Sequence, residues 1–291
     1  MIRHLGEGAA AVVCLACCAA AGAADWPQLG NNPQHTGYSP ESLRPPLTLK
    51  WNVQFQPERL YPAVQAVIAG ERVYLGTESG NFYALSAAAG KRLWKFPAGK
   101  DEHVGPILHT AGVAGGKAFF ASMDGCVYAL DAATGRLVWK FDTRLRTGFS
   151  TAVVLAEGYV FAANRGGTVF ALRQADGKVA WQADLKSHLL QTPAYNDGRV
   201  FIAGMDMKLH ALDAKTGGEV WRTDRIEGLA FKDYWPVIHK GVVIVRPMGP
   251  WQASAFDEKT GKPVKLTIPG GVTMNGAVAP PCVDGDGKLV T

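Results

Sequence analysis

A unit of about 43 residues returns along this chain, and a period of that length leaves only a few repeat architectures open. Its signature is a hairpin, read as Ala129-Leu130-Asp131-Ala132-Ala133-Thr134-Gly135-Arg136-Leu137-Val138-Trp139 in one copy. A second full copy is Ala211-Leu212-Asp213-Ala214-Lys215-Thr216-Gly217-Gly218-Glu219-Val220-Trp221. Looser copies run from Ala84 to Trp94, with Ser86 in place of the aspartate, and from Ala171 to Trp181, with Arg173 there. A fifth, Ala255 to Lys265, keeps Asp257, Thr260 and Gly261 but lacks the tryptophan. Trp51 stands one further period ahead of Trp94. A second marker, Pro62, Pro106, Ser150, Pro193, Pro236 and Pro281, returns at nearly the same interval.

Each unit has room for four short strands. In the fourth these are expected at Pro193 to Tyr195, Val200 to Gly204, Leu209 to Leu212 and Glu219 to Thr223. Runs such as Val73-Tyr74-Leu75 and Phe119-Phe120-Ala121, broken by glycine turns, do not carry the 3.6-residue apolar spacing of a helical solenoid. Four strands in 40 to 45 residues correspond to one blade of a β-propeller. Within the hairpin, Asp131 or Asp213 can accept hydrogen bonds from backbone amides two residues on, while Gly135 or Gly217 supplies positive φ. Trp51, Trp94, Trp139, Trp181 and Trp221 are read as structural residues that dock each outer strand on the neighbouring blade, because a ligand site would not repeat in every unit.

The first 24 residues have a different character. Arg3 precedes an apolar run from Ala9 and small residues follow at 21–24, the layout of a secretory signal peptide. That run of about 16 residues is short of the ~20 a membrane-spanning helix requires. A lipoprotein reading, with acylation of Cys18 after Cys17, competes and would tether the protein to a membrane; Cys17 fits poorly where Gly, Ala or Ser normally precedes. The location implied is periplasmic or secreted, with an outer-membrane lipoprotein as the alternative. Removal of this segment leaves Cys126 and Cys282, from which no disulfide framework can be read. Thirty basic against 25 acidic residues, scattered without a cluster, give no basis for nucleic-acid binding.

Chemical motifs are sparse. The seven histidines show no zinc-ligand spacing and no serine sits in a nucleophile elbow. Asp284-Gly285-Asp286-Gly287 offers two carboxylates where a calcium loop would offer more, and reads as a β-turn. His210, alternating with apolar neighbours, is expected to be a half-buried packing residue. The loops 97–105, 142–150, 184–192 and 224–236 should gather on one face of a propeller around its axis. They carry His103, Arg144, Arg146, His188, Gln191, Lys232, Asp233 and Tyr234. Arg144, Arg146, His188 and Lys232 are the candidates for holding an anionic ligand, since guanidinium pairs bidentately with a carboxylate. A solvated basic loop is the simpler reading. Trp251, in an enlarged turn, is either a recognition aromatic or a packing residue.

The hairpin signature closely resembles the tryptophan-docking motif of the pyrroloquinoline quinone (PQQ) propeller family. The stretch Asp25-Trp26-Pro27-Gln28-Leu29-Gly30-Asn31-Asn32-Pro33-Gln34-His35-Thr36-Gly37-Tyr38 resembles the opening of its exported members. The family holds both quinoprotein dehydrogenases and non-enzymatic assembly scaffolds of the BamB kind. For a dehydrogenase the resemblance implies PQQ on the axis, Ca²⁺ held by carboxylate and amide oxygens, an Asp base and, in alcohol oxidisers, an adjacent cysteine pair. Beyond residue 24 this chain has no such pair.

The expected fold is therefore all-β: a leading segment at 25–47, then a propeller at 48–291 of four-stranded blades. Five blades are complete and a sixth begins at Gly276. This is read as a fragment of a seven- or eight-bladed ring, the alternative being a six-bladed ring closed by residues 48–55. The expected function is that of a scaffold binding a protein partner or small ligand at its loop face, with no cofactor. The alternative is a PQQ- and calcium-dependent oxidoreductase completed by blades not present here.

Overall fold

Every repeat folds as an antiparallel meander whose strands lie in chain order from the centre of the molecule outward. The computed structural model describes residues 25–41, 45–99, 103–145, 147–232, 234–249, 253–265, 282–284 and 286–290. The signal-like segment with Cys18, as well as Arg146, Asp233 and Trp251, lies outside these residues. The first blade comprises β1 (Val67–Ala69), β2 (Arg72–Gly76), β3 (Phe82–Ser86) and β4 (Arg92–Phe96). The second has β5 (Gly112–Ala114), β6 (Lys117–Ala121), β7 (Cys126–Asp131) and β8 (Leu137–Asp142). The third has β9 (Val154–Ala156), β10 (Tyr159–Ala163), β11 (Thr168–Arg173) and β12 (Val179–Asp184). The fourth has β13 (Ala194–Asn196), β14 (Arg199–Ala203), β15 (Leu209–Asp213) and β16 (Glu219–Arg222). Among the described residues there is no helix, and the short first strands neighbour one another around an axis.

The fifth blade has β17 (Val237–His239), β18 (Val242–Val245) and β19 (Ser254–Asp257) as regular strands. Its outermost segment is reduced to a bridge between Phe256 and Pro263 and a hydrogen bond from Val264 N–H to Ala255 O. Proline has no N–H to give to a ladder, and this is also the copy without a tryptophan. The hairpin of β20 (Cys282–Val283) and β21 (Leu289–Val290) supplies the first strands of a sixth unit.

Strand positions follow the tryptophan spacing and not the proline marker. Pro62 lies five residues ahead of Val67, whereas Pro193 and Pro236 immediately precede Ala194 and Val237. The approach to each first strand varies in length, so that marker drifts while the hairpin stays in register.

In blades one to four an alanine faces the tryptophan across the ladder: Ala84 and Trp94, Ala129 and Trp139, Ala171 and Trp181, Ala211 and Trp221. A bulge follows that alanine each time. The extra residue twists the outer strand locally, and the indole lies against the next hairpin turn. A Cβ on Gly135, at φ 74°, would come 2.6 Å from the Trp94 ring, and the same packing joins Trp51 to Gly90, Trp139 to Gly177, Trp181 to Gly217 and Trp221 to Gly261. The indole N–H groups of Trp51, Trp94, Trp139, Trp181 and Trp221 donate to the carbonyls of Ala87, Ala132, Gln174, Ala214 and Glu258 at 2.8–3.2 Å. Asp131 and Asp213 each accept from the amide and hydroxyl of the threonine three residues on. Those bonds hold both carboxyls below the usual carboxylate range.

Residues 25–38 form a strap along the axial edge of the first strands. Trp26 exchanges two hydrogen bonds with Ile68; Val113 N–H donates to Pro27 O and Leu155 N–H to Gln28 Oε1. Tyr195, Ile238 and Val283 donate their N–H groups to the carbonyls of Pro33, Gln34 and Thr36. One inner-edge amide from each of six successive units is thus satisfied by a single segment, which buried backbone groups require. At the third blade a side-chain amide replaces the backbone. Gln28→Ala would leave the Leu155 N–H without that acceptor, a loss of about 1–3 kcal/mol. The urea midpoint should fall at unchanged slope; an unmoved midpoint would show that another group takes over.

Candidate functional site

The approaches to several of the first strands converge and line a cavity of about 220 Å³. Its lining is Tyr61 and Ala63 ahead of β1, Leu108 and His109 ahead of β5, Ser150 ahead of β9, Leu190 and Lys232 ahead of β13 and β17, and Arg165. Arg165 comes from the turn between β10 and β11, and a parallel bridge ties Leu190 to Lys232.

An aromatic stack lies beneath. The His109 ring meets Trp235 edge-on at 5.9 Å, and Trp235 meets His35 of the strap at 6.1 Å. Leu29, wholly buried, packs with Trp235, Ala152 and Val237. His35 Nδ1 donates to Pro236 O at 3.1 Å, and its buried Nε2 has no hydrogen-bond partner among the described residues. His109 Nδ1 instead accepts from Thr110 N–H at 2.9 Å, so its proton resides on Nε2. Burial lowers His35 to about 4; burial and then the neighbouring His35 lower His109 to about 3. Both rings are neutral at pH 7. Gln191, next to Leu190, is also buried, and among the described residues neither atom of its amide has a hydrogen-bond partner.

Of the residues singled out for an anionic ligand, Lys232 lines the cavity. His188 is exposed and stands just outside, with Nδ1 2.8 Å from Arg165 O. Arg144 follows β8 at φ 55°, its N–H donating to Asp142 Oδ1, and is not in the lining. Arg165 escaped the sequence argument, which considered only the loops between blades. A signal existed: the position reads Glu78, Met123, Met205 and Met248 in the other four blades and is basic only here. The strap residues His35 and Leu29 had no periodic signal at all.

A calcium-bound quinone does not fit this donor set. Calcium takes six to eight oxygens, several from carboxylates, and no carboxylate or side-chain amide is among the described lining residues. No cluster of three or more His, Cys, Asp or Glu side chains among the described residues is placed to hold a metal ion. The cavity is also smaller than the roughly 300–1,000 Å³ of cofactor sites. Arg165 and Lys232 alone would suit the acidic groups of such a ligand.

A family model described as outer membrane protein assembly factor BamB matches residues 48–187 and 167–265. The chain belongs to this family of PQQ-like propellers. No match was found among curated proteins. Among solved structures, BamB from Moraxella catarrhalis is 19% identical, with a TM-score of 0.60 over 74% of this chain and 63% of that one. Quinohemoprotein alcohol dehydrogenase from Comamonas testosteroni is 17% identical, with a TM-score of 0.68 over 91% of this chain and 51% of the enzyme. A europium-containing methanol dehydrogenase is 15% identical at a TM-score of 0.69, over 83% and 57%. The BamB-like chain spans between half and two thirds of the length of these proteins, and at such identities the likeness shows a shared fold.

Proposed function

We propose that the chain is an exported, non-catalytic propeller that serves as a binding or assembly scaffold, presenting the loop face around the axial cavity to a protein partner or small ligand. The observation that carries this reading is the make-up of the cavity. Leu108, Leu190 and Tyr61 offer apolar and aromatic surface, Arg165 and Lys232 offer positive charge, and among the described lining residues there is no carboxylate to act as a base or metal ligand. Such a rim suits an acidic or apolar side chain of a partner. The family's description as an outer membrane protein assembly factor supports the scaffold role, and the signal-like layout of residues 1–24 supports export.

Calorimetric titration of the folded chain with PQQ, with and without Ca²⁺, tests the absence of an oxidoreductase function. No calcium-dependent heat is expected, and micromolar calcium-dependent binding would overturn the reading. A photo-crosslinking residue at position 232 should capture a partner in the exporting cell. The same residue at Lys178, on an exposed outer turn, should not; equal labelling from both would count against a loop-face scaffold.

A further inference from the structure

One register of the repeat changes its chemistry in the fourth blade. The residue before the alanine that faces the tryptophan is Tyr83, Tyr128 and Phe170 in the first three blades and His210 in the fourth. In the second blade the Tyr128 hydroxyl donates to Asp124 Oδ2 at 2.6 Å. The fourth blade sets Asp206 Oδ2, from the corresponding turn, 3.1 Å from His210 Nε2, and adds Glu219 Oε1 at 2.7 Å from Nδ1. The imidazole is buried, and each carboxylate is about a third exposed. Ile202 faces His210 from β14, and Arg222 is its cross-strand partner on β16.

A neutral imidazole has one N–H and one lone pair, so it can donate to a single carboxylate and must turn its lone pair on the other. A proton on Glu219 would remove that conflict, but Glu219 Oε2 accepts from Arg222 Nη1 at 3.2 Å, which favours the carboxylate. Asp206 stands where Asp124 accepts from a phenol, and its Oδ1 accepts from Lys208 N–H. Both carboxylates are therefore acceptors, and the ring between them donates twice.

We infer that His210 carries protons on both ring nitrogens in the folded protein at neutral pH and clamps Asp206 to Glu219, and that loss of the second proton opens the clamp. The buried cation is paired on both sides, as a buried charge requires. Opening reaches the loop face. Asp206 N–H donates to Ser187 Oγ at 2.8 Å and Met205 N–H to His188 O at 3.0 Å, so the turn that carries Asp206 also holds the segment leading to Leu190. A ring that gains two acceptors on folding holds its proton more firmly folded than unfolded, so the stability it contributes is full in acid and lost as pH rises. The clamp is separate from the axial cavity, and the inference stands whether or not the loop face has a partner.

The test uses the whole chain, isotope-labelled for magnetic resonance. A long-range proton–nitrogen correlation at about pH 7 should show two protonated ring nitrogens for His210. They are assigned by their loss in His210→Tyr, which keeps a donor to Asp206 as Tyr128 does to Asp124. Raising the pH to about 9 should remove one of these protons and lower the urea midpoint of the unsubstituted chain. Amide exchange at 187–190 and 205–207 should then rise at least about tenfold beyond its intrinsic pH dependence. His210→Tyr should show neither change. Glu219→Gln should release the second proton at a lower pH than the unsubstituted chain, and it keeps the test valid if the tyrosine variant folds poorly. A single protonated nitrogen at neutral pH, or the same response to pH in all three chains, would overturn the inference.

Discussion

Trp139→Ala is expected to destabilise the folded chain by about 3–5 kcal/mol, the cost typical of removing a buried tryptophan. The ring is 8% exposed, packs against Phe119 at 5.7 Å within the core between the second and third blades, and caps Gly177. Its removal also leaves Gln174 O without its indole donor. Val138, the bulge residue beside it, is 44% exposed, and Val138→Ala should change stability by less than about 0.5 kcal/mol. Urea unfolding monitored by near-ultraviolet circular dichroism compares the two. Equal midpoints would show that the blades hold together without the indole. Gly177→Ala approaches the same interface from the other side: φ is 71° and the new methyl would lie 2.6 Å from the Trp139 ring. It should displace the ring and lose a comparable share of the stability.

Acid should unfold this protein from the axis. His35 and His109 are held neutral at about 4 and about 3, against an ordinary value of 6.5. With folded values below the unfolded one, the unfolded chain binds protons that the folded chain refuses. The two residues leave stability unaffected above pH 7, and stability then falls as pH drops from 6.5 towards 4. At 1.4 kcal/mol per unit the loss reaches roughly 5 kcal/mol for the pair at pH 4.5. Unfolding midpoints between pH 7.5 and 4.5 should show this fall, and a His35→Gln, His109→Gln variant should lack most of it. Resonances of the two imidazoles in the native protein should also remain essentially unshifted down to about pH 5.5. Titration of either ring near 6 would remove the basis for the expectation.

What was legible in the chain was local. The hairpin turn is decided within eleven residues, since Asp131 and Thr134 contact each other while Gly135 and Trp139 contact the hairpin of an adjacent repeat. Strand limits in the fourth blade accordingly agree with expectation to within a residue or so. The axis was not legible, because its contacts join residues that share no pattern. His210 shows the limit on a small scale. Strand alternation marks it as a packing residue, and it is 2% exposed, but Glu219 Oε1 at 2.7 Å and Asp206 Oδ2 at 3.1 Å face its two ring nitrogens. No spacing rule announces two carboxylates, one on a turn and one on the neighbouring strand. Arg165 likewise becomes visible only when the blades are aligned and the odd residue stands out.

The strap also sets an order of events for the growing chain. Its residues are made before their partners: Gln28 meets Leu155 across 127 positions, Gln34 meets Asn196 across 162, and His35 meets Pro236 across 201. Contacts of that separation form late, because the loops they close must first be ordered by nearer pairings. Blades can therefore assemble one after another as they emerge, each docking a tryptophan on the next turn, while most of the leading residues wait unpaired. Trp26 can bridge to the first blade early, but Gln34 and His35, among the first residues made, are among the last to find their places, since their partners Ile238 and Pro236 arrive only with the fifth blade.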